Sequence, residues 1–173
     1  MTRVVVTGLG AVSPLGNDVP TTWQALLAGR SGIGPLTRFD ASLYEGAIAG
    51  EVRNFQPETI LSSKELRTVD RFAQYGLMAA VEALRDAGFD PSEPLGPSAG
   101  VVFGAGSGGY GLYEEQADLL REKGPRRVSP FFLTNILPDA VSGYIAIKSG
   151  AMGPNMAVVS ACATGAGAIG EAA

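Results

Sequence analysis

Among the residues that could do chemistry, Cys162 has the clearest sequence context. It is the only cysteine in the chain, and it lies between a short apolar run at residues 156–159 and a tract of alanine and glycine at residues 164–173. This order predicts a buried strand, a turn at residues 160–163 and then a helix. At such a turn the positive end of the helix dipole favours a thiolate, and the first free N–H groups can stabilise an oxyanion.

Two features of the sequence limit what this spacing alone establishes. A lone cysteine in an apolar strand is most often an inert buried residue. Thiol enzymes usually need an imidazole as a base or hydrogen-bond donor, and the chain contains no histidine. The spacing therefore leaves an inert and a catalytic role open, and a catalytic Cys162 would need partners from elsewhere.

The composition predicts one globular domain. With 173 residues, 46% hydrophobic and 17% charged, the chain can bury a sizeable core. A net charge of −4 argues against a nucleic-acid partner, and a single cysteine excludes an internal disulfide and fits a reducing compartment. No apolar run reaches the length needed to span a bilayer, so we expect a cytoplasmic protein without a membrane partner.

Hydrophobic periodicity predicts an α/β layered fold, because strand and helix patterns alternate. The small residues after the cysteine turn predict a helix that crosses the middle of the domain. Strands are predicted at residues 3–7, 47–52, 99–104 and 156–159, a long loop at 31–44, and helices at 20–28, 62–87, 111–123, 138–148 and from 164 onward.

The predicted helix over residues 62–87 has a charged face and an apolar stripe, the latter formed by Val69, Phe72, Ala73, Gly76, Leu77, Ala80, Val81 and Leu84. Ser62 and Glu65 have the spacing of a capping box at its start. Lys64, Arg67 and Arg71 share a face at i, i+3 and i+7, which favours a solvated surface or, alternatively, a docking patch for an acidic partner.

Two glycine motifs bear a partial likeness to dinucleotide-binding turns. In the first, Gly8-x-Gly10, the third glycine position is Ser13, and Pro14 follows where a helix is needed. The second, at residues 104–109, lies far from the N-terminal unit where that fingerprint belongs. We therefore expect these glycines to allow close backbone contacts, with nucleotide binding as a minor alternative.

Five segments follow one another in the order RVVVTGLGAVSPLGN, RSGI, KELRTVDRFAQYG, SPFF and VVSACATG. Together they resemble the N-terminal half of the β-ketoacyl-acyl carrier protein synthases of the thiolase-like superfamily. The resemblance covers essentially all 173 residues and is nearest to the elongating synthase II type. It implies a thiolase-like fold of layered αβαβα architecture, of which residues 1–173 are the N-terminal portion with the C-terminal half absent. It also implies a homodimer.

The resemblance also implies an acyltransferase activity in fatty acid biosynthesis. Cys162 would take the acyl chain from an acyl carrier protein, and malonyl-carrier protein would lose CO2 to give a carbanion that attacks the acyl-enzyme. The family also uses two histidines and a lysine from its C-terminal half, so we expect this chain to be inactive alone. No metal or organic cofactor is implied, because the phosphopantetheine arm arrives with the carrier protein.

Further roles follow from the resemblance. Ala161 and Ser107 are expected to line the acyl pocket. Ser107 stands where relatives often carry a bulky isoleucine, and its smaller, polar side chain is expected to relax control over acyl length. Phe132 and Leu133 match a segment that closes the partner subunit's pocket, with core packing as the alternative. The carrier-protein-binding residues implied are Lys64, Arg67, Arg126 and Arg127.

Two other functions remain open at this stage. A polyketide ketosynthase shares the cysteine turn and differs in its acyl preference. A non-catalytic relative that only dimerises or docks a carrier protein would lack the histidines and lysine.

Overall fold

The computed structural model describes residues 3–90 and 92–173 and contains, within them, seven α-helices and four short strands. In chain order these are α1 (Val19–Leu27), β1 (Ile33–Pro35), β2 (Ile48–Gly50), α2 (Ser63–Leu66), α3 (Arg71–Asp86), β3 (Val101–Gly104), α4 (Tyr110–Lys123), α5 (Phe132–Ile136), α6 (Ala140–Ser149), β4 (Asn155–Val158) and α7 (Thr164–Ala172). Single 3-10 turns occur at Pro57–Thr59, Pro125–Arg127 and Ala161–Ala163.

Helix α3 is the centre of the hydrophobic core. Its fully buried Ala73 and Leu77 pack with Val141 and Ile145 of α6, and Phe103 of β3 joins them from the sheet side. The approach is close, because a Cβ added at Gly76 would lie 2.5 Å from Val141 Cγ1. The apolar stripe predicted for this helix is therefore confirmed as the face that organises the core.

The single helix predicted over residues 62–87 is wrong, because the chain breaks between α2 and α3. Asp70 has extended backbone angles and caps α3, with its Oδ1 accepting a hydrogen bond from Phe72 N at 3.2 Å. Thr68 Oγ1 donates back to Lys64 O at 3.3 Å. Such local side-chain bonds compete with a continuous helix, whereas the capping box of Ser62 and Glu65 forms as predicted.

Strands β3 and β4 pair in parallel, with Val101 opposite Asn155 and Gly104 opposite Val158. A parallel pair needs a long crossover, and here α4, α5 and α6 provide it. Helices α6 and α7 both pack on the pair. The two predicted strands therefore lie side by side, and their carboxyl ends lie at one edge.

Two predictions for the N-terminal region, one loop and one strand, are corrected. Residues 31–44 were predicted as a loop, but β1 forms there and pairs antiparallel with β2. Residues 3–7 were predicted as a buried strand, but in the part of the chain that the structure describes they join no ladder, and Val4, Val5 and Val6 are exposed. An extended segment without a neighbour to share its backbone hydrogen bonds is not a strand.

The segment that follows is held by α3. Leu9 N donates to Asp86 Oδ2 and Ala11 N donates to Glu82 Oε2, both at 2.9 Å. A Cβ added at Gly10 would lie 1.8 Å from Ala79 O, so the backbone of this segment lies directly against the helix. The first glycine motif therefore serves close packing on α3.

Candidate active site

Cys162 lies in the 3-10 turn between β4 and α7, with its side chain exposed. The strand, turn and helix predicted around it are confirmed. The predicted position of α7 in the middle of the domain is wrong, because Thr164 and Ala168 are its only buried residues in the described chain and Ile169 is 72% exposed. One face of α7 packs on β3 and β4, and the other face is left open.

The backbone before the cysteine adopts a conformation that few residues with a Cβ tolerate. Ala161 has φ of +50°, in the left-handed region. Ser160 N donates to Thr164 Oγ1 at 2.8 Å, and Ala163 N donates to Ser160 O at 3.1 Å. Because Thr164 is buried, its hydroxyl closes the turn from inside and holds Ala161 in the strained position.

The glycine loop after β3 lies against this turn. A Cβ at Gly104 would lie 2.2 Å from Thr164 Cγ2, and one at Gly106 would lie 3.2 Å from Ala161 O. Ser107, the next residue, is exposed. The second glycine motif is therefore explained by its contact with the turn that carries Cys162. Through this contact, the loop that contains Ser107 lies next to the turn that contains Ala161.

The other end of the same loop contacts α5. A Cβ at Gly108 would lie 1.7 Å from Ile136 O, and Gly109 N donates to that carbonyl at 3.0 Å. On α5, Phe132 faces the Tyr113 ring at 6.0 Å between centroids, while Leu133 is 61% exposed. The loop thus lies between the cysteine turn and the helix that carries both predicted pocket-closing residues.

Asn135 is a buried polar residue that the sequence did not single out. It is 1% exposed, its Nδ2 donates to Phe131 O at 2.8 Å, and its Oδ1 accepts from the Tyr144 hydroxyl. Burial raises the pKa of Tyr144, so this hydroxyl stays a proton donor. The pair ties α5 to α6. Only the three-dimensional contact identifies it, since both residue types are ordinary in a helix.

The predicted basic residues fall on two separate elements. Lys64 and Arg67 are exposed on α2 and at its end, and Arg126 and Arg127 are exposed in the 3-10 turn after α4. Within the described residues the ion pairs are Arg121 with Asp118 and Lys148 with Glu65, so none of these four is neutralised by a carboxylate.

Residues 3–90 and 92–173 contain neither a group of metal-binding side chains nor a membrane-spanning helix. In that part of the chain no three His, Cys, Asp or Glu side chains are grouped so that they could hold a metal ion. None of its helices has both the length and the apolar character that crossing a membrane requires.

The sequence matches the family described as Beta-ketoacyl synthase, N-terminal domain, over residues 1–173. The chain belongs to this family. The 3-oxoacyl-[acyl-carrier-protein] synthase 2 of Staphylococcus aureus (strain COL) is 49% identical over 170 residues, which are 98% of this chain and 41% of that protein. The enzyme of the same name from Coxiella burnetii (strain RSA 493 / Nine Mile phase I) is 47% identical, covering 99% of this chain and 41% of that protein.

Solved structures of ketosynthases have the same fold. A β-ketoacyl synthase from Burkholderia phymatum STM815 is 28% identical, with a TM-score of 0.84 over 99% of this chain and 43% of that one. The AntDE:AntF complex, a type II PKS acyl-carrier protein with its ketosynthase bound to the hexaketide, gives 25% identity and a TM-score of 0.76 over 99% and 46%. These likenesses confirm the predicted family and the thiolase-like α/β fold class.

The chain of this β-ketoacyl synthase family member spans about two fifths of the length of the curated relatives it matches. The roles of the individual residues named above remain predictions, because the comparisons concern the family and the fold. The division of the polypeptide into an N-terminal portion and a missing C-terminal half also stays a prediction.

Proposed function

We propose that the polypeptide carrying this chain is a 3-oxoacyl-[acyl-carrier-protein] synthase that elongates acyl chains in fatty acid biosynthesis. One observation carries the proposal: Cys162 is exposed in a strained strand-to-helix turn. That turn belongs to a chain 49% identical to a synthase 2. The strain at Ala161 supports a functional role, since such conformations persist where surrounding contacts enforce them.

The proposed reaction has two steps. The Cys162 thiolate attacks the acyl-carrier thioester, a new C–S bond forms, and the carrier thiol leaves with its phosphopantetheine arm. Malonyl-carrier protein then loses CO2, and the resulting carbanion attacks the acyl carbonyl. The bond to Sγ breaks, Cys162 is regenerated, and the 3-oxoacyl chain remains on the carrier protein.

The chain supplies the nucleophile and an electrostatic setting for it. Cys162 directly precedes the N-terminus of α7, where N–H groups and the helix dipole favour negative charge on the sulfur and on an oxyanion. Its own N–H is one of the two proposed oxyanion donors. Because the chain has no histidine, the two histidines and the lysine of the mechanism are assigned to the rest of the polypeptide.

The proposal includes the partners and setting of the enzyme. It works as a cytoplasmic homodimer with an acyl carrier protein, and it needs no metal or organic cofactor of its own. The exposed basic residues Lys64, Arg67, Arg126 and Arg127 support an acidic carrier as the partner. Ala161 and Ser107 line the acyl pocket, and Phe132 and Leu133 close the pocket of the partner subunit.

A direct test is to incubate the full-length polypeptide with acyl-carrier protein and to map any acyl adduct by peptide mass spectrometry. We expect a thioester on Cys162 and none in Cys162→Ala. Since this is the only cysteine in the chain, a thioester found within residues 1–173 can lie only on Cys162. No adduct, or an undiminished one in Cys162→Ala, would refute the proposal.

A polyketide ketosynthase is the second candidate, favoured by the similarity to the AntDE:AntF ketosynthase and by the small Ser107. Screening acyl thioesters of varied length and substitution separates the two functions. A non-catalytic carrier-docking or dimerisation homologue is distinguished by the remaining sequence of the polypeptide, which would lack the two histidines and the lysine.

A further inference from the structure

Helix α5 is anchored by a polar residue. The structure describes all five residues of this helix, and Asn135 is the only one of them that is buried. The apolar side chains of Phe131 and Leu133 are exposed on either side of it. A helix of five residues is too short to be stable by itself. The hydrogen bonds of one buried amide are therefore a main determinant of where this helix lies.

The contacts of this amide fix its orientation. Because Phe131 O can only accept, the Asn135 atom that lies 2.8 Å from it is the donor Nδ2. Oδ1 then faces the Tyr144 hydroxyl and accepts from it. Burial raises the pKa of Tyr144, so the hydroxyl keeps the proton that this bond needs. Both ends of the amide have a partner, and a buried polar group with all its partners holds one geometry.

At one end the amide orients the peptide that leads into Phe132. Phe131 O also accepts from Asn135 N at 3.2 Å and from Thr134 Oγ1 at 3.0 Å. Because a peptide unit is planar, fixing this oxygen also fixes the N–H of Phe132, which donates to Ser129 O at 3.0 Å. The start of α5 is therefore held by the amide as well as by its own backbone.

The backbone of the same residue supports the glycine loop. Gly109 N donates at 3.0 Å to Ile136 O, the carbonyl that follows Asn135. A Cβ added at Gly109 would lie 3.0 Å from Asn135 O, so the two backbones are in direct contact. The loop that contains Ser107 thus lies against the end of α5. Any shift of α5 would move this loop and Phe132 together.

Tyr144 connects α5 and the loop to the hydrophobic core. It lies on α6, half-buried against the core cluster, and Val141 and Ile145 on the same helix pack with residues of α3 in that cluster. The hydroxyl of Tyr144 is the donor that the described residues give to Asn135 Oδ1. Without it, the buried acceptor loses its partner and the amide loses its link to the core.

We propose that Asn135 and Tyr144 are positioning residues that limit the length of the acyl chain accepted by Cys162. The inference rests on the proposed function, in which Phe132 and Leu133 close the acyl pocket of the partner subunit. The pair holds α5 and the adjoining glycine loop against the core, so the pocket wall does not yield to a longer chain. Small displacements of a positioning element have large effects on rate, because reaction depends on the exact placement of the substrate.

The test compares acylation of the full-length polypeptide by butyryl-carrier protein and by dodecanoyl-carrier protein. Mass spectrometry over time gives the rate at which each acyl group appears on Cys162. For the loss of one buried hydrogen bond, we expect the long-to-short rate ratio to rise about fivefold in Tyr144→Phe. Asn135→Leu removes both bonds of the amide, and a similar rise is expected. Adding Tyr144→Phe to Asn135→Leu is expected to change nothing further, because Tyr144 acts through Asn135.

Ile145→Val is the matched control. Ile145 is the next residue on α6, but it belongs to the core cluster and not to the contact with α5. Removal of one methylene from the core is expected to lower the urea midpoint of unfolding and to leave the rate ratio unchanged. A role of the pair in stability alone would lower both acylation rates together, in proportion to the folded fraction, and would not move their ratio.

An unchanged or lower ratio in Tyr144→Phe, or an equal rise in Ile145→Val, would overturn the proposal. A further rise in the double variant would do the same, since Tyr144 would then act independently of Asn135. If Asn135→Leu does not fold, Tyr144→Phe and Ile145→Val decide the question. No adduct on wild-type Cys162 from either donor would refute the proposed function and this inference with it, whereas normal acylation with an unchanged ratio refutes the inference alone.

Discussion

The two glycine-rich segments at residues 8–16 and 104–109 look alike in sequence, but they are held in different ways. The first lies on α3, where carboxylates of Glu82 and Asp86 accept its backbone N–H groups. The second is fixed mainly by backbone contact, with Gly106 against the cysteine turn and Gly108 against the end of α5. A glycine motif therefore shows that another backbone comes close, and the identity of that neighbour decides whether the segment is structural or part of a site.

The largest expected effect tests the second segment. Gly108→Ala places a Cβ 1.7 Å from Ile136 O, a backbone atom that cannot move aside without shifting α5. We expect a loss of about 3 kcal/mol in the free energy of unfolding, measured by urea denaturation. Gly111→Ala is the control, because no atom lies within 4 Å of its added Cβ and it is inside α4.

In that control the substitution removes a helical glycine, so we expect a gain of up to about 1 kcal/mol. A Gly108→Ala protein as stable as the wild type would show that the loop is not fixed by α5. The two glycine segments would then not differ in the way proposed, because the second would lack its backbone contact with α5.

The second prediction tests the carboxylate that holds the first segment. Glu82 Oε1 accepts from Val19 N at 2.7 Å and Oε2 accepts from Ala11 N at 2.9 Å. In Glu82→Gln an NH2 group faces one of these N–H donors, which leaves a half-buried donor without a partner. We expect about 2 kcal/mol of lost stability by the same denaturation assay. The exposed Glu114→Gln on α4 is expected to change it by less than about 0.5 kcal/mol.

Glu82→Gln also separates stability from function. Since Glu82 lies under the N-terminal segment and away from the cysteine turn in the contacts described, acylation of Cys162 by a folded protein is expected to be unaffected. A large loss of acylation in Glu82→Gln under stabilising conditions would show that both segments serve the site.

The third prediction concerns the closure of the cysteine turn. Thr164→Val keeps the shape of the side chain but removes the acceptor for Ser160 N, and Thr164→Ser keeps the acceptor. For a buried hydrogen bond we expect Thr164→Val to lose about 1 kcal/mol of stability. Acylation of Cys162 is expected to be slower in Thr164→Val than in Thr164→Ser. Mass spectrometry over time measures the two rates. Equal rates in the two variants would mean that Thr164 does not position the turn.

Local sequence signals predicted the elements next to the site well. The strand, turn and helix around Cys162 are confirmed, as are α1, α4 and α6, where Gly150 ends the helix with φ of +66°. The break at Asp70 was missed because its capping bond competes with an equally good helical pattern. Such a competition is decided by the packing of α3 on α6, which the sequence does not display.

The contacts that build the candidate site were not predictable from the same signals. Gly106 meets Ala161, and Asn135 meets Tyr144, through pairing and packing of elements that are distant in sequence. The choice of Cys162 depended on the family resemblance, since a lone cysteine with this spacing is most often an inert thiol. Thr164 carries no sequence signal beyond its position after the cysteine, and only the hydrogen bond to Ser160 N identifies it.

The smallest effect on stability is expected at Ser107. A substitution there also tests most directly whether the second glycine segment, unlike the first, affects acyl selectivity. This residue is exposed between two glycines whose contacts fix the loop, so Ser107→Ile is expected to change the free energy of unfolding by less than about 0.5 kcal/mol. If the loop forms the wall of the acyl pocket, the larger side chain shortens the longest acyl group that Cys162 accepts. Competition between short and long acyl-carrier substrates measures this shift.

Thr21→Ile, an exposed substitution on α1 beside the first glycine segment, is the matched control and is expected to leave selectivity unchanged. Equal selectivity in wild type and Ser107→Ile would remove the functional distinction between the two segments and leave only the structural one.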